Sequence, residues 1–212
     1  MKLRLAALVP LILLASCRHA GDILEDQRGI LAFRDACPIA GIPTGTGDIT
    51  LFNPAGSTDA RAIDVTAVMT NLRSTCQTVG DDYVSTAQFD VVAQRNIVGP
   101  ARQVVLPYFD VVLQGGATVA AKQLGTVVLN FANGAPRAQV RIHASARVNR
   151  AAASLPDEVQ RELTRERKPG ELEAAIDPLS DPAIRTAVAQ ATFEHLVGFQ
   201  LTEDQLRYNA TR

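Results

Sequence analysis

Residues 138–149 read AQVRIHASARVN, and every second side chain in that stretch is apolar. Ala138, Val140, Ile142, Ala144, Ala146 and Val148 fall on one face of an extended chain, with Gln139, Arg141, His143, Ser145, Arg147 and Asn149 on the other. A helix would scatter these residues around its circumference, whereas successive side chains of a strand point to opposite faces. One buried and one wetted face is the pattern of an antiparallel strand. The same period runs through the preceding hundred residues. Tyr83, Ala87, Phe89, Val91 and Ala93 oppose Thr86, Gln88, Asp90 and Gln94 in a strand from Tyr83 to Arg95, after a turn at Gly80-Asp81-Asp82. Ile63, Val65, Ala67 and Met69 alternate with Asp64, Thr66, Val68 and Thr70, and Leu72 through Cys76 extend that strand past a bulge. Asp48 to Phe52 is a short strand stopped by Asn53-Pro54.

Between these lie Gln103–Gln114, whose Pro107 removes a ladder donor and argues for an edge or a bulge, and Val119–Phe131, one or two segments broken near Gly125. Gly115-Gly116 turns the chain between them, and Asn133-Gly134 carries a hairpin signal. Six or seven such strands over residues 37–150 predict a mainly antiparallel β-sandwich. In its strand spacing it is broadly similar to immunoglobulin and fibronectin type III domains. Tryptophan is absent and the cysteine spacing does not follow the antibody arrangement. Residues 37–48, rich in Gly, Pro and Thr, read as an irregular loop leading into the sandwich.

Residues 151–212 change character, which makes the fold class α+β: a sandwich followed by a helical C-terminal segment packed on it. Ser154 is placed to cap a helix that carries Pro156 and Asp157 in its first turn, with Leu155, Val159 and Leu163 at spacing four. Residues 171–176 add a short helical turn. Asp181-Pro182 opens a second helix whose apolar row is Ile184, Val188 and Ala191, broadened by Phe193, Leu196 and Val197 and stopped at Gly198. Leu201 to Leu206 combine a hydrophobic staple with a Thr202–Gln205 capping box.

The chain begins MKLRLAALVPLILLAS over residues 1–16: a basic start, a largely apolar run from Leu5 to Ala15 and small residues at the end. This is the pattern of a secretory signal peptide, too short to span a bilayer. Leu14-Ala15-Ser16-Cys17 closely resembles the lipobox of bacterial lipoproteins. The resemblance implies cleavage before Cys17, an S-diacylglycerol and an N-acyl group on that residue, and a stable membrane anchor. Arg18 in place of an aspartate points to the periplasmic face of the cell outer membrane, with the inner membrane as the alternative. An ordinary signal peptide cut nearby would leave Cys17 a plain thiol. Residues 17–36 are then a tether, whose Ile23, Leu24 and Ile30-Leu31-Ala32-Phe33 call for docking on the domain or brief strand pairing.

With Cys17 lipidated, the remaining cysteines are Cys37 and Cys76, in an oxidising compartment. A Cys37–Cys76 disulfide is the simplest reading and would contribute about 4 kcal/mol in the chain-entropy treatment. A reactive pair is the alternative, although no C-x-x-C motif is present.

The composition, 212 residues with 47% hydrophobic side chains and a net charge of -1 from 21 basic and 22 acidic residues, excludes bulk disorder and a polytopic membrane protein. It also offers no basic surplus to neutralise nucleic-acid phosphates. His19, His143 and His195 match no zinc spacing, and no G-x-S-x-G elbow occurs. Gly45-Thr46-Gly47-Asp48 lacks the lysine of a phosphate loop, Asp81-Asp82 reads as a solvated turn rather than a calcium site, and Asn209-Ala210-Thr211 has only the form of a glycosylation triplet. No catalytic residue, metal ligand or cofactor beyond the lipid on Cys17 is expected. Binding falls instead to Pro107-Tyr108-Phe109, aromatics on an irregular edge where a partner strand or hydrophobic residue could dock, against core packing as the plainer role. The leading functional expectation is a non-catalytic interaction or scaffold module with an envelope protein as partner. A carrier of a small apolar ligand or lipid comes second, and an envelope hydrolase assembled from distant Asp, Glu and His residues third.

Overall fold

The computed structural model describes residues 35–167, 170 and 176–211. Cys17, His19, the tether up to residue 34 and residues 171–175 of the helical turn expected over 171–176 lie outside them. The described residues are mainly β: they form two four-stranded sheets with short helices in the C-terminal part. One sheet has the order β2 (Asp48–Phe52), β3 (Ile63–Val79), β4 (Asp82–Arg95), β7 (Arg137–Asn149) and is antiparallel throughout. The other has the order β1 (Ile39–Gly41), β8 (Phe193–Phe199), β5 (Arg102–Gln114), β6 (Thr118–Phe131), with a parallel β1–β8 pair.

The alternating segments form strands where period two places them. In β7 the apolar row is buried or half-buried and the polar row is exposed. In β3 the register shifts between Thr70 and Arg73, where Asn71 sits at φ 54, so the expected bulge is present. Gly80 at φ 59 leads the β3–β4 turn, and Gly115 and Gly116, at φ 63 and 73, open the three-residue β5–β6 connection, a positive-φ geometry that glycine adopts without steric cost.

Elsewhere the chain departs from its sequence reading. Residues 118–131 are one strand, because Gly125 accommodates a neighbour instead of breaking the ladder: a Cβ there would overlap the Tyr108 ring on β5. Asn133-Gly134 turns the chain from β6 in one sheet to β7 in the other, so it closes no hairpin. Only Gly134 has positive φ, whereas a type I′ hairpin turn requires it at both central residues. Residues 39–41, expected as loop, pair with β8.

The largest correction concerns the tail. Helix α1 spans Asp157–Leu163 with Pro156 at its cap position, and Ser154 donates to the Arg150 carbonyl instead of capping. Helix α2, capped by Asp181, spans Pro182–Ala191 and stops there, since Thr192 is extended. Residues 193–199 are strand, with Phe193, His195, Val197 and Phe199 buried, so the second helix does not run on to Gly198; short helices remain on either side of β8, and the second sheet is incomplete without it. Helix α3, Glu203–Thr211, carries the expected capping box: the Thr202 amide donates to Gln205 Oε1 (2.9 Å) and the Gln205 amide to Thr202 Oγ1 (3.3 Å).

Side chains of both sheets fill the space between them. A large cluster includes Phe89, Val91, Leu106, Val127, Leu129, Phe131, Val197 and Phe199. A smaller one gathers Val112, Ala146, Val148, Ala153 and Phe193 at the other end. The Cys37–Cys76 disulfide joins the residues leading into β1 to β3, tying the sheets together.

Candidate functional site

Three strands bring a buried polar residue to one level of the interior. Ser85 lies between Tyr83 and Ala87 in β4, Asp110 between Tyr108 and Val112 in β5, and His195 between Phe193 and Val197 in β8. The fold brings these three together. His195 Nδ1 is 2.9 Å from Ser85 Oγ, and His195 Nε2 is 2.9 Å from Asp110 Oδ1. Ser85 and His195 are 0% exposed and Asp110 is 8% exposed. An Nε2–H donating to the carboxylate leaves Nδ1 of the neutral ring to accept the Ser85 hydroxyl proton, so each member of the chain is satisfied. The chain separates the two apolar clusters and links β8 of one sheet to β4 of the other.

Serine, histidine and aspartate in one hydrogen-bonded chain have the composition of an acyl-transfer triad. The placement does not suit that chemistry. A nucleophile must meet a substrate carbonyl, and Ser85 is enclosed on all sides. What the arrangement does is hold two sheets in one register at one level. Cys76 pairs with Ser85 across the β3–β4 ladder, and Ala40 pairs with His195 across β1–β8. The disulfide therefore flanks the hydrogen-bonded chain, and the covalent and polar ties between the sheets fall at the same height.

A second buried polar group closes the opposite end. Arg95, 4% exposed, donates to the carbonyls of Ala135, Pro100, Gly99 and Ala132 at 2.7–3.1 Å and lies 5.4 Å from the Phe131 ring centroid. It pins two of the connections that cross between the sheets, β4–β5 and β6–β7. On the outer face of the β2–β3–β4–β7 sheet, Asp90 accepts from Arg141 (2.7 Å) and from Asn71 at the bulge (2.9 Å). These donors hold its carboxyl at about 2, below the ordinary 3.8. Burial pushes the Tyr108 phenol up, and the nearby Asp110 carboxylate adds to the effect.

The residues expected to bind a partner divide between two faces. Tyr108 turns inward, edge-on to Phe89 with ring centroids 6.0 Å apart. Pro107 and Phe109 turn outward, where the Phe109 ring covers Gly198 and Lys122 lies over it at 5.9 Å. Tyr108 and Phe109 pair with β6 on one side and β8 on the other, so strand addition at these residues is closed. Pro107 lies just past the last β5–β8 pair, where its missing N–H costs no ladder bond. By register, its face of the sheet also carries Ile39, Val105, Val119, Leu124 and Val128, all exposed.

His143 stands on the exposed face of β7, away from His195. The Gly45–Asp48 loop is held from the C-terminus: Asn209 Nδ2 donates to the carbonyls of Gly45 and Asp48, both at 2.9 Å. Beside it, α3 and β2 line a groove of about 910 Å3 together with residues 55–58. Phe52 and Tyr208 meet across it, ring centroids 5.1 Å apart and nearly perpendicular.

Comparison with protein-family profiles, with curated proteins and with solved structures gives no match.

Sequence reading missed Ser85, Asp110 and His195 as a group. The signal was present: each is a polar residue at an apolar parity within its strand. His195 was hidden by assigning residues 193–198 to a helix, which hid the alternation of Phe193, His195, Val197 and Phe199.

Proposed function

We propose that the protein is a lipid-anchored envelope protein, held by acyl groups on Cys17 at the periplasmic face of the outer membrane, acting as a non-catalytic interaction module. The observation that carries the reading is the outer face of the β1–β8–β5–β6 sheet, where Ile39 and Leu124 are each 67% exposed and Val105 is 52% exposed. With Pro107 and Phe109 among them, these side chains form an apolar surface on a sheet whose central backbone is already paired, so an envelope protein partner would dock on the face. The finer architecture belongs to this proposal: a sandwich broadly of the immunoglobulin or fibronectin type III kind, set apart by its parallel β1–β8 pair and four-plus-four strand order.

The filled interior argues against the second reading, a carrier with an apolar ligand between the sheets. The enclosure of Ser85 argues against a hydrolase built on it.

The test is crosslinking in cells followed by affinity purification from detergent-solubilised envelopes, comparing the native chain with Cys17→Ala and with Val105→Asp/Leu124→Asp. A near-stoichiometric partner, lost with the double substitution and reduced when lipidation is blocked, is the expected result. A partner indifferent to Val105→Asp/Leu124→Asp, or none at all, overturns the docking face. Recovery of Cys17→Ala in the membrane fraction overturns the anchor, and sedimentation of the native chain with inner-membrane markers overturns the outer-membrane assignment.

A further inference from the structure

We propose that the groove between β2 and α3 is a binding site for a neutral saccharide. The groove is fixed in shape by its own packing. Tyr208 stands edge-on to Phe52, Asn209 ties α3 to the carbonyls of Gly45 and Asp48, and Thr202 and Gln205 lock the start of the helix. Its volume of about 910 Å3 lies within the range of roughly 300–1,000 Å3 typical of small-molecule sites.

The lining selects the ligand class. Two aromatic rings, with Leu51 and Ala55 beside them, are set among the neutral polar side chains of Ser57, Thr58, Gln205 and Thr211. Among the described residues, Gln205 Nε2 and the Thr58 hydroxyl have no hydrogen-bond partner, so a ligand would find them available. The charged groups of the lining are already engaged. Arg207 is held by Asp204 at 3.0 Å and Glu203 at 3.5 Å, and Asp64 by both terminal nitrogens of Arg102.

Three ligand classes can be compared on this lining. An acyl chain would bury hydroxyl and amide groups against methylenes and leave them unsatisfied. A phosphate or other anion would need a free cation, and the groove's arginine is paired with two acids. A sugar presents apolar C–H faces to aromatic rings and hydroxyls that both donate and accept, which suits rings interleaved with threonine, serine and amide groups. The site goes beyond the docking face proposed above and shares no residue with it.

The test uses isotope-labelled full chain carrying Cys17→Ala, titrated with chitotriose and with maltotriose and followed by amide chemical shifts. Lauric acid and inorganic phosphate serve as competing ligand classes. The expected result is saturable binding of at least one trisaccharide, with a dissociation constant below about 1 mM and shifts confined to residues 50–58 and 202–211. Tyr208→Ala should weaken that binding by about tenfold or more. Because Tyr208 also braces α3, Thr58→Val is the second variant; it removes one hydroxyl at an exposed position and should weaken binding about three- to tenfold. Val105→Asp/Leu124→Asp should bind the sugar as the parent does, which separates this site from the docking face. No saturable shift with either trisaccharide overturns the proposal, as does binding of laurate or phosphate in the groove. Sugar binding unchanged in both Tyr208→Ala and Thr58→Val overturns it as well.

Discussion

The interior holds two kinds of core. Around Phe89, Leu106, Leu129 and Phe199 it is apolar and constrained by volume, since each side chain need only be hydrophobic and of the right size. At the level of Ser85, Asp110 and His195 it is polar and constrained by hydrogen bonding, since each atom needs a particular partner at a particular place. The apolar region supplies most of the driving force. The polar level discriminates between alignments of the sheets: a one-residue slip of β8 would turn His195 outward and strand Asp110 without a donor. A two-residue slip, which keeps the faces, would exchange one hydrophobic contact for another in the apolar region but would separate His195 from Ser85 and Asp110.

One substitution in each region tests whether the two cores differ in this way. Phe89→Ala should cost about 3–5 kcal/mol in urea unfolding, as transfer energy plus a cavity. His195→Leu should cost a similar ~3–5 kcal/mol for a different reason, by leaving a buried carboxylate with no donor. The two separate on further substitution. Ser85→Ala/Asp110→Leu/His195→Leu, which removes all the polar groups, should return to within about 2 kcal/mol of the parent. A triple variant as unstable as His195→Leu alone would mean that the polar level matters for its shape and not for its hydrogen bonding.

Cys37→Ala/Cys76→Ala sharpens the comparison at the flank of that level. Loss of the closed loop should cost about 4 kcal/mol, seen as a lower urea midpoint, and a matching drop should follow reduction of the parent chain. Indifference to reductant would show that the hydrogen-bonded chain holds the sheets without covalent help. Thr202→Ala, outside both cores, should cost only about 1 kcal/mol through the lost cap.

The smallest effect is on the outer face. The Asp90 carboxyl is lowered in the folded chain, so the stability it contributes is present above its ordinary value of 3.8 and is lost as pH falls through about 2. Asp90→Asn should therefore flatten the acid limb of a stability-versus-pH curve between about pH 4 and pH 2 and leave the curve's slope at neutral pH unchanged. An unaltered acid limb would assign it to other carboxylates.

The strands were legible wherever one face is dry and the other wet. β2, β4 and β7 sit within a residue or two of where alternation puts them, and the bulge in β3 follows from the parity break after Thr70. β8 was not legible because its local surroundings favour a helix. A capped helix precedes it, and Phe193, Leu196 and Val197 also fit a helical stripe; pairing with β5 and β1 decides the matter. The β6–β7 turn misled for a related reason. Asn-Gly signals a change of direction, and which sheet receives the next strand depends on contacts far away in sequence. The candidate sites were less visible still. Ser85, Asp110 and His195 are separated by up to 110 residues, and nothing local marks a polar residue as buried. The groove depends on α3 reaching back to β2.

The period-two strands, the turns at Gly80 and at Gly115-Gly116, the capping box of α3 and the cysteine pair available for a bridge are all local properties of the chain. These are properties of dihedral preference, local hydrogen bonding and residue count, which act over a few positions. Only the tertiary structure decided that β8 completes a sheet, that three polar residues from distant strands share one buried level, and that Tyr108 faces inward while Phe109 faces out. Each of these depends on which surfaces meet, and burial is a property of the folded chain that no local segment carries alone.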